Sequence, residues 1–224
     1  MPERKDSPSK AGGSWWRSSL VKLYENLTRD DAVRPVDLIF VMAGRMERKQ
    51  YGLELFRAGV SPKLVLSIGR FEVSKMGDLD LKGIEELTLL RGQTPPDKRH
   101  FFMTLDSSGV RIEKAGLPVW NTYGEALALQ QILEKEKARR VIVISNDIHL
   151  RRVALAIGKV FRRETVEIRY CPVPPLLMPY RKERWWTRPD NRRSVFVEMT
   201  KLAGYRLILS LPPRAALWIM RLQT

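Results

Sequence analysis

The residues best suited to chemistry in this chain stand at the ends of apolar runs. His149 opens a helical pattern directly after the run RVIVIS at 140–145, and an imidazole titrates near neutrality, so it suits proton transfer. Glu125 lies in a separate segment behind Asn121 and Thr122. A carboxyl there is either the acid-base counterpart of His149, an acceptor for a ligand hydroxyl, or simply a favourable charge in a first helical turn. His100, the second of two histidines, falls in a hairpin pattern and reads as structural.

Four short segments gather the remaining polar candidates: Gly44-Arg45-Met46-Glu47-Arg48, Ser67-Ile68-Gly69-Arg70, Asn121-Thr122-Tyr123-Gly124-Glu125, and Ser145-Asn146-Asp147-Ile148-His149 with Arg151 and Arg152. Glycines let backbone N–H groups approach a ligand, hydroxyls and amides donate, and guanidinium groups bind phosphate in a bidentate way. The predicted substrate-binding set is therefore Gly44, Arg48, Ser67, Gly69, Asn121, Thr122, Ser145 and Arg152, with His149 and Glu125 as catalytic candidates and a phosphate or carboxylate as ligand. Taken one at a time, these residues equally suit turns and helix caps.

Several signatures are missing from the sequence. It has no P-loop ending in GK[ST], no G-x-G-x-x-G dinucleotide fingerprint, no G-x-S-x-G elbow and no H-E-x-x-H zinc pair. Two separated histidines and the lone Cys171 make a metal site unexpected and allow no internal disulfide.

The elements that must position these residues follow from hydrophobic periodicity. The run VDLIFVMAG at 36–44 is almost continuously apolar, as a central strand buried on both faces requires. A helix over 45–58, stopped by Gly59, leads to a second apolar strand at 63–69, which completes a right-handed strand-helix-strand unit. A helix is predicted over 78–91, and 100–113 reads as a hairpin beside the main sheet around Asp106-Ser107-Ser108-Gly109. Asn121 or Thr122 caps a helix to about residue 138, and a third strand at 140–145, a helix at 149–161 and a strand at 166–171 follow. A last helix is expected over 193–209. This alternation predicts an α/β fold with a mostly parallel, doubly wound sheet, in which ligands bind outside the carboxyl ends of the strands.

Four parts are expected: a flexible basic N-terminus at 1–13, an amphipathic helix within 14–35 carrying Trp15, Trp16, Leu20, Leu23 and Leu27, the α/β domain at 36–209, and a basic-apolar segment at 210–224. The net charge is +15, and residues 176–224 hold ten Lys or Arg against three Asp or Glu. Such an excess favours an acidic partner: a phosphorylated small molecule or an anionic membrane surface. No recognised nucleic-acid module accompanies it, so nucleic acid is not expected. No run approaches a transmembrane length, because the apolar stretch at 207–222 is broken by Pro212 and Pro213.

The four segments, in this order, resemble the bacterial family of domains typified by YdcF, SanA and ElyC, over about residues 36–205. DLIFVMAGRMERKQYGLELFRAG matches the family's first strand and arginine-bearing helix and places the arginine at Arg48. Ser67-Ile68-Gly69 stands where the family usually has Ser-Gly-Gly; Asn121-Thr122 matches its Asn-Thr motif, Ser145 with His149 and Arg152 its last motif, and Glu198 its late glutamate. The resemblance implies a Rossmann-like three-layer fold and a role in handling a phosphorylated, polyprenyl-phosphate-linked molecule in cell-envelope biogenesis, as a hydrolase or transferase. It also implies an alternative, a non-catalytic module for S-adenosylmethionine or a nucleotide, or a peripheral membrane adaptor. Relatives on the envelope carry an N-terminal membrane segment that this sequence lacks, which points to the cytoplasm or to the inner membrane surface.

Overall fold

The computed structural model describes residues 15–211 except Pro118, Trp120, Arg163 and Tyr180. The N-terminal segment 1–13 and most of the C-terminal segment 210–224 lie outside the described residues. Six strands, β1 (Leu38–Val41), β2 (Leu64–Gly69), β3 (His100–Asp106), β4 (Gly109–Lys114), β5 (Arg140–Ser145) and β6 (Glu167–Pro172), form one sheet in the order β4-β3-β2-β1-β5-β6. Its centre is β1 (Leu38–Val41), in which all four side chains are fully buried. Parallel neighbours flank it: β2 (Leu64–Gly69) on one side, and β5 (Arg140–Ser145) followed by β6 (Glu167–Pro172) on the other.

Side chains alternate across the sheet with the period of two that strand geometry imposes. Ile39, Val41, Leu64, Leu66, Ile142 and Ile144 face one apolar layer, which contains Tyr24 of α1 (Trp15–Glu25), Leu53 of α2 (Met46–Arg57) and Leu87 of α3 (Ile84–Gln93). Leu38, Phe40, Val65, Val141 and Val143 face the other, against Leu129 and Leu133 of α4 (Thr122–Glu136) and Val153, Ala156 and Ile157 of α5 (Asp147–Val160). The final helix α6 (Pro189–Ser210) packs on α5 and contributes to both layers through Val195 and Leu202, and through Tyr205 and Ile208. The result is a Rossmann-like three-layer α/β sandwich, as the alternation predicts.

The hairpin forms where predicted and joins the sheet at the β2 edge: β3 (His100–Asp106) pairs antiparallel with β2 from Leu64↔Leu105 to Gly69↔His100, and β4 (Gly109–Lys114) pairs with β3. Pairing satisfies the backbone groups that an edge at β2 would leave open. Several boundaries depart from the sequence reading. The helix predicted over 78–91 is α3, which starts later, at Ile84, and is entered through Gly83 at φ +87°; a 3-10 segment at Val73–Asp78, not foreseen, precedes it. Helix α6 begins at Pro189 rather than at 193, since proline suits a first helical turn where its missing N–H is not needed.

Helix α1 ends at Glu25, earlier than the span to 35 allowed, and is tied to the domain by its inner face. Tyr24 Oη donates to Asp147 Oδ2, and Trp185 Nε1 donates to the Leu20 carbonyl at 3.1 Å. Trp15 on the outer face is 73% exposed. No helix among the described residues is long and apolar enough to cross a membrane.

The connections leave β1 and β5 in opposite directions, β1 through α2 to β2 and β5 through α5 to β6. A crevice therefore opens at the carboxyl ends of β1 and β5, where ligands bind in open α/β sheets. Because β3 runs antiparallel, its first residue, His100, arrives at this same end.

Candidate functional site

A cavity of about 800 Å³ occupies the carboxyl end of the sheet. Its walls come from the loops after β1 and β2, the start of β3, the end of β4, the first turns of α4 and α5, and one face of α6. Six of the ten predicted site residues line it: Gly69, Asn121, Thr122, Glu125, His149 and Arg152. Gly44, Arg48, Ser67 and Ser145 stand behind the wall as supports.

Asn121 sets the start of α4. Its backbone is extended (φ −151°, ψ 175°) and its Oδ1 accepts from the N–H groups of Tyr123 and Gly124, both at 3.0 Å, the arrangement of an N-cap. One turn later Glu125 projects to the cavity floor, where Oε1 accepts from Ala43 N at 2.8 Å and Ser67 Oγ at 2.7 Å. Its other oxygen, Oε2, makes no hydrogen bond among the described residues. Burial raises the Glu125 carboxyl above the ordinary carboxylate range, against the pull of these donors.

Ser67 also bonds His100 Nε2 at 2.8 Å. Since the one serine proton points to Glu125, the imidazole presents Nε2–H to Ser67 Oγ. Burial, followed by the nearby Lys49 ammonium, pushes His100 down to about 3, so the ring is neutral. His100 was expected to be structural; it lines the cavity and supports Glu125 through Ser67.

A second chain of bonds runs from β5 to α6. His149 Nδ1 lies 2.8 Å from Ser145 Oγ, and Nε2 lies 3.4 Å from Thr122 Oγ1. Arg152 Nη1 donates to Thr122 Oγ1, while Arg152 Nε and Nη2 donate to Glu198 Oε2 and Oε1, both at 3.0 Å. This is a bidentate ion pair with side-chain exposures of 8% and 14%. Burial foremost, then the charges of Arg152, Arg48 and Lys201, hold His149 well below the usual histidine range. The arginine occupies a lone pair of Thr122 Oγ1, which leaves the threonine proton for Nε2 and Nδ1–H for Ser145. No hydrogen bond joins His149 to Glu125, and each belongs to its own network.

Arg48 differs from the expectation too. It is buried, its Nε donates to Asn146 Oδ1 at 2.8 Å and its Nη1 to the Ala43 carbonyl, so it joins the loops after β1 and β5 and does not line the cavity. Gly44, at φ +128°, makes room for it: a Cβ there would lie 2.9 Å from Arg48 Nη1.

Nor do the loop glycines offer free N–H groups. Gly44 N and Gly69 N donate to Glu72 Oε1 at 2.6 and 3.1 Å, while Glu72 Oε2 accepts from the fully buried Lys49 Nζ. Burial lowers the Lys49 ammonium, and Glu72 opposes that shift. Sequence reading missed this pair, as it missed Lys98, Arg99, Lys114, Lys201 and Tyr205 on the cavity wall, while Arg70, which belongs to the second of the four segments, lines it too. The clue for Glu72 was its place three residues after Gly69, close enough to fold back. On α6 the sequence marked Glu198 alone, through the family resemblance; Lys201 and Tyr205 were visible only as helical spacing.

Fold and site together define a Rossmann-like α/β domain with a polar, predominantly cationic cavity at the carboxyl ends of its parallel strands. No family model, curated protein or solved structure matches the chain. Among the described residues, no group of three or more His, Cys, Asp or Glu side chains is placed to hold a metal ion.

Proposed function

We propose that this chain is a YdcF-like domain that binds and processes a phosphorylated small molecule in the cavity at the carboxyl end of its sheet. The observation that carries this reading is the charge of the wall, where Arg70, Lys98, Arg99, Lys114, Arg152 and Lys201 face three carboxyls, Glu72, Asp97 and Glu125. A concave, low-dielectric site with such an excess attracts an anion far more strongly than an open surface does. Arg152, already oriented by Glu198 and Thr122, and Lys201, three residues beyond Glu198 on α6, supply the cations that draw the phosphorylated ligand to this side of the cavity. Tyr205 adds a buried hydroxyl with no hydrogen-bond partner among the described residues.

Glu125 is the acid-base group. It has one anchored oxygen, one oxygen with no hydrogen bond among the described residues and an affinity for protons raised by burial. His149, neutral and bonded at both ring nitrogens, orients Thr122 and Ser145. Hydrolysis or transfer of the phosphorylated group both fit this set. The order of the four polar segments, shared with the YdcF family, supports the assignment.

Thermal-shift and calorimetric titrations with sugar phosphates, nucleotides, S-adenosylmethionine and a short-chain polyprenyl phosphate test it, since a ligand that binds only the folded state raises its melting temperature. A phosphorylated ligand should stabilise the protein and Glu125→Gln, and should lose at least about tenfold in affinity for Arg152→Met, as the loss of a charge-assisted bidentate contact implies. Binding of S-adenosylmethionine alone, or equal binding by Arg152→Met, would overturn it.

A second feature favours an anionic membrane surface as a place of work, at the cytoplasmic face of the inner membrane. Trp16, Trp186, Trp185 and Phe196 form a chain of edge-to-face rings at about 6 Å, exposed at Trp16 and Phe196. Exposed Arg17, Lys22, Lys182, Arg184, Arg192 and Arg193 belong to the same elements or the loop that joins them. Aromatic rings beside cationic groups suit the headgroup region. Trp15→Ser/Trp16→Ser should reduce sedimentation with phosphatidylglycerol vesicles; unchanged sedimentation removes this reading and leaves the cavity reading intact.

A further inference from the structure

The Glu72 carboxylate sits where an external anion would be expected in this fold. It occupies the carboxyl ends of two adjacent central parallel strands, β1 and β2, and takes the N–H groups of Gly44 and Gly69 there, together with the ammonium of Lys49. A lysine with no exposed side-chain area is costly to bury and needs an anion beside it. Glu72 itself comes from the loop after β2, reached through a single turn in which Glu72 N donates to the Gly69 carbonyl at 3.0 Å. Glu72, Ala43 and Gly69 all line the cavity, so the carboxylate forms part of the wall that a ligand would meet.

We propose that Glu72 holds the place of a ligand's phosphoryl group, and that a phosphomonoester displaces its carboxylate from Gly44 N, Gly69 N and Lys49 Nζ by rotation of the Glu72 side chain into the cavity. The inference rests on the cavity being a phosphate-binding site. Two features make a phosphoryl dianion a better guest than a second carboxylate. The cradle offers three donors in different directions, which a tetrahedral group meets more fully than a planar one. Lys49 and the Arg48 guanidinium also feel one another's charge, and burial raises the proton affinity of the nearby Glu125 carboxyl, so a dianion meets two cations beside a carboxyl that readily takes up a proton. Glu125 Oε2, without a hydrogen bond among the described residues, is available to a further phosphoryl oxygen when that carboxyl is protonated. Gly69 has no room for a side chain while Glu72 is in place, since a Cβ would lie 2.9 Å from Oε1.

An internal occupant lowers the apparent affinity of an external one by the fraction of time that the cradle is open. Inorganic phosphate, titrated by calorimetry and followed by thermal shift, is the probe, and the proteins are the full chain, Glu72→Ala, Glu72→Gln and Glu72→Ala/Lys49→Met. If the cradle is open no more than about a tenth of the time, Glu72→Ala should bind phosphate about tenfold more tightly than the unaltered chain. Glu72→Gln should change in the same direction, and the gain should vanish with Lys49→Met.

Should Glu72→Ala be poorly folded because Lys49 has lost its partner, phosphate should restore its melting transition. Absence of both restoration and gain in Glu72→Gln overturns the proposal, as does a gain that survives Lys49→Met. If organic phosphates bind the unaltered chain through Arg152 while no Glu72 variant gains, this inference fails and the function stands. If no phosphate binds any form, both fail.

Discussion

Loss of Glu198 should be among the most damaging single changes near the cavity, and its magnitude follows from the geometry around Arg152. The guanidinium makes two 3.0 Å bonds to Glu198 and a third to Thr122, with only 8% of its side chain exposed. Glu198→Ala leaves that cation buried against the Tyr205 ring, 5.2 Å from its centre, and against a neutral His149 that cannot compensate it. Removing one partner of a buried ion pair costs about 3–5 kcal/mol, and the cavity side of this pair places the loss near about 3 kcal/mol. For a domain of this size that corresponds to a fall in melting temperature of about 6–12 °C.

Urea unfolding at pH 7 and differential scanning fluorimetry measure the loss. Adding Arg152→Met to Glu198→Ala should recover much of it, because the unpaired charge is then gone. A fall below about 2 °C, which is less than 1 kcal/mol at this size, would refute the account of a desolvated pair. A double variant as unstable as the single one would do the same.

Two glycine substitutions should move stability in opposite directions. A Cβ at Gly52 would lie 2.4 Å from Val41 Cγ2, where α2 meets the central strand, so Gly52→Ala should cost about 1–3 kcal/mol by overpacking. Gly158, inside α5 with open space around it, should gain about 0.5–1 kcal/mol on conversion to alanine. Urea midpoints that shift in the same direction for both would contradict this. A third prediction concerns pH. His149 and His100 are held by burial below the ordinary histidine value of about 6.5, so the unfolded chain binds their protons first. The stability they contribute is complete above that value and declines as pH falls below it, by about 1.4 kcal/mol per unit for each ring. Glu125 and Asp147, raised by burial, act in the opposite sense at lower pH. Unfolding of His149→Asn between pH 6 and 5 should show a slope shallower by about 1.4 kcal/mol per unit; an unchanged slope would mean that the ring is not held neutral.

Much of the architecture was legible because strands buried on both faces leave a strong mark. The run over 36–44 and RVIVIS at 140–145 allow no other placement in a chain of this length, and β5 occupies the residues predicted for it. Asn121 was legible as a cap, since its side chain competes for backbone N–H groups whatever the tertiary context. Elements without such marks were read less well. The 3-10 segment at Val73–Asp78 and the start of α3 have weak periodicity, and the place of the hairpin depended on which edge of the sheet needed a partner.

Site chemistry divides along the same line. Residue type and loop position were enough to bring Thr122, Glu125, His149 and Arg152 to one cavity, because loops at the carboxyl ends of parallel strands must converge. Their roles were decided by neighbours distant in sequence. Arg48 and Lys49 are adjacent cations in one helical turn, and nothing local distinguishes them from solvated ones. The fold directs the first to Asn146 and the second to Glu72. Composition determined the kinds of groups available and the end of the sheet at which they meet. Only tertiary structure decided which charges are desolvated and paired, because burial and pairing are properties of the assembled loops and not of any one segment.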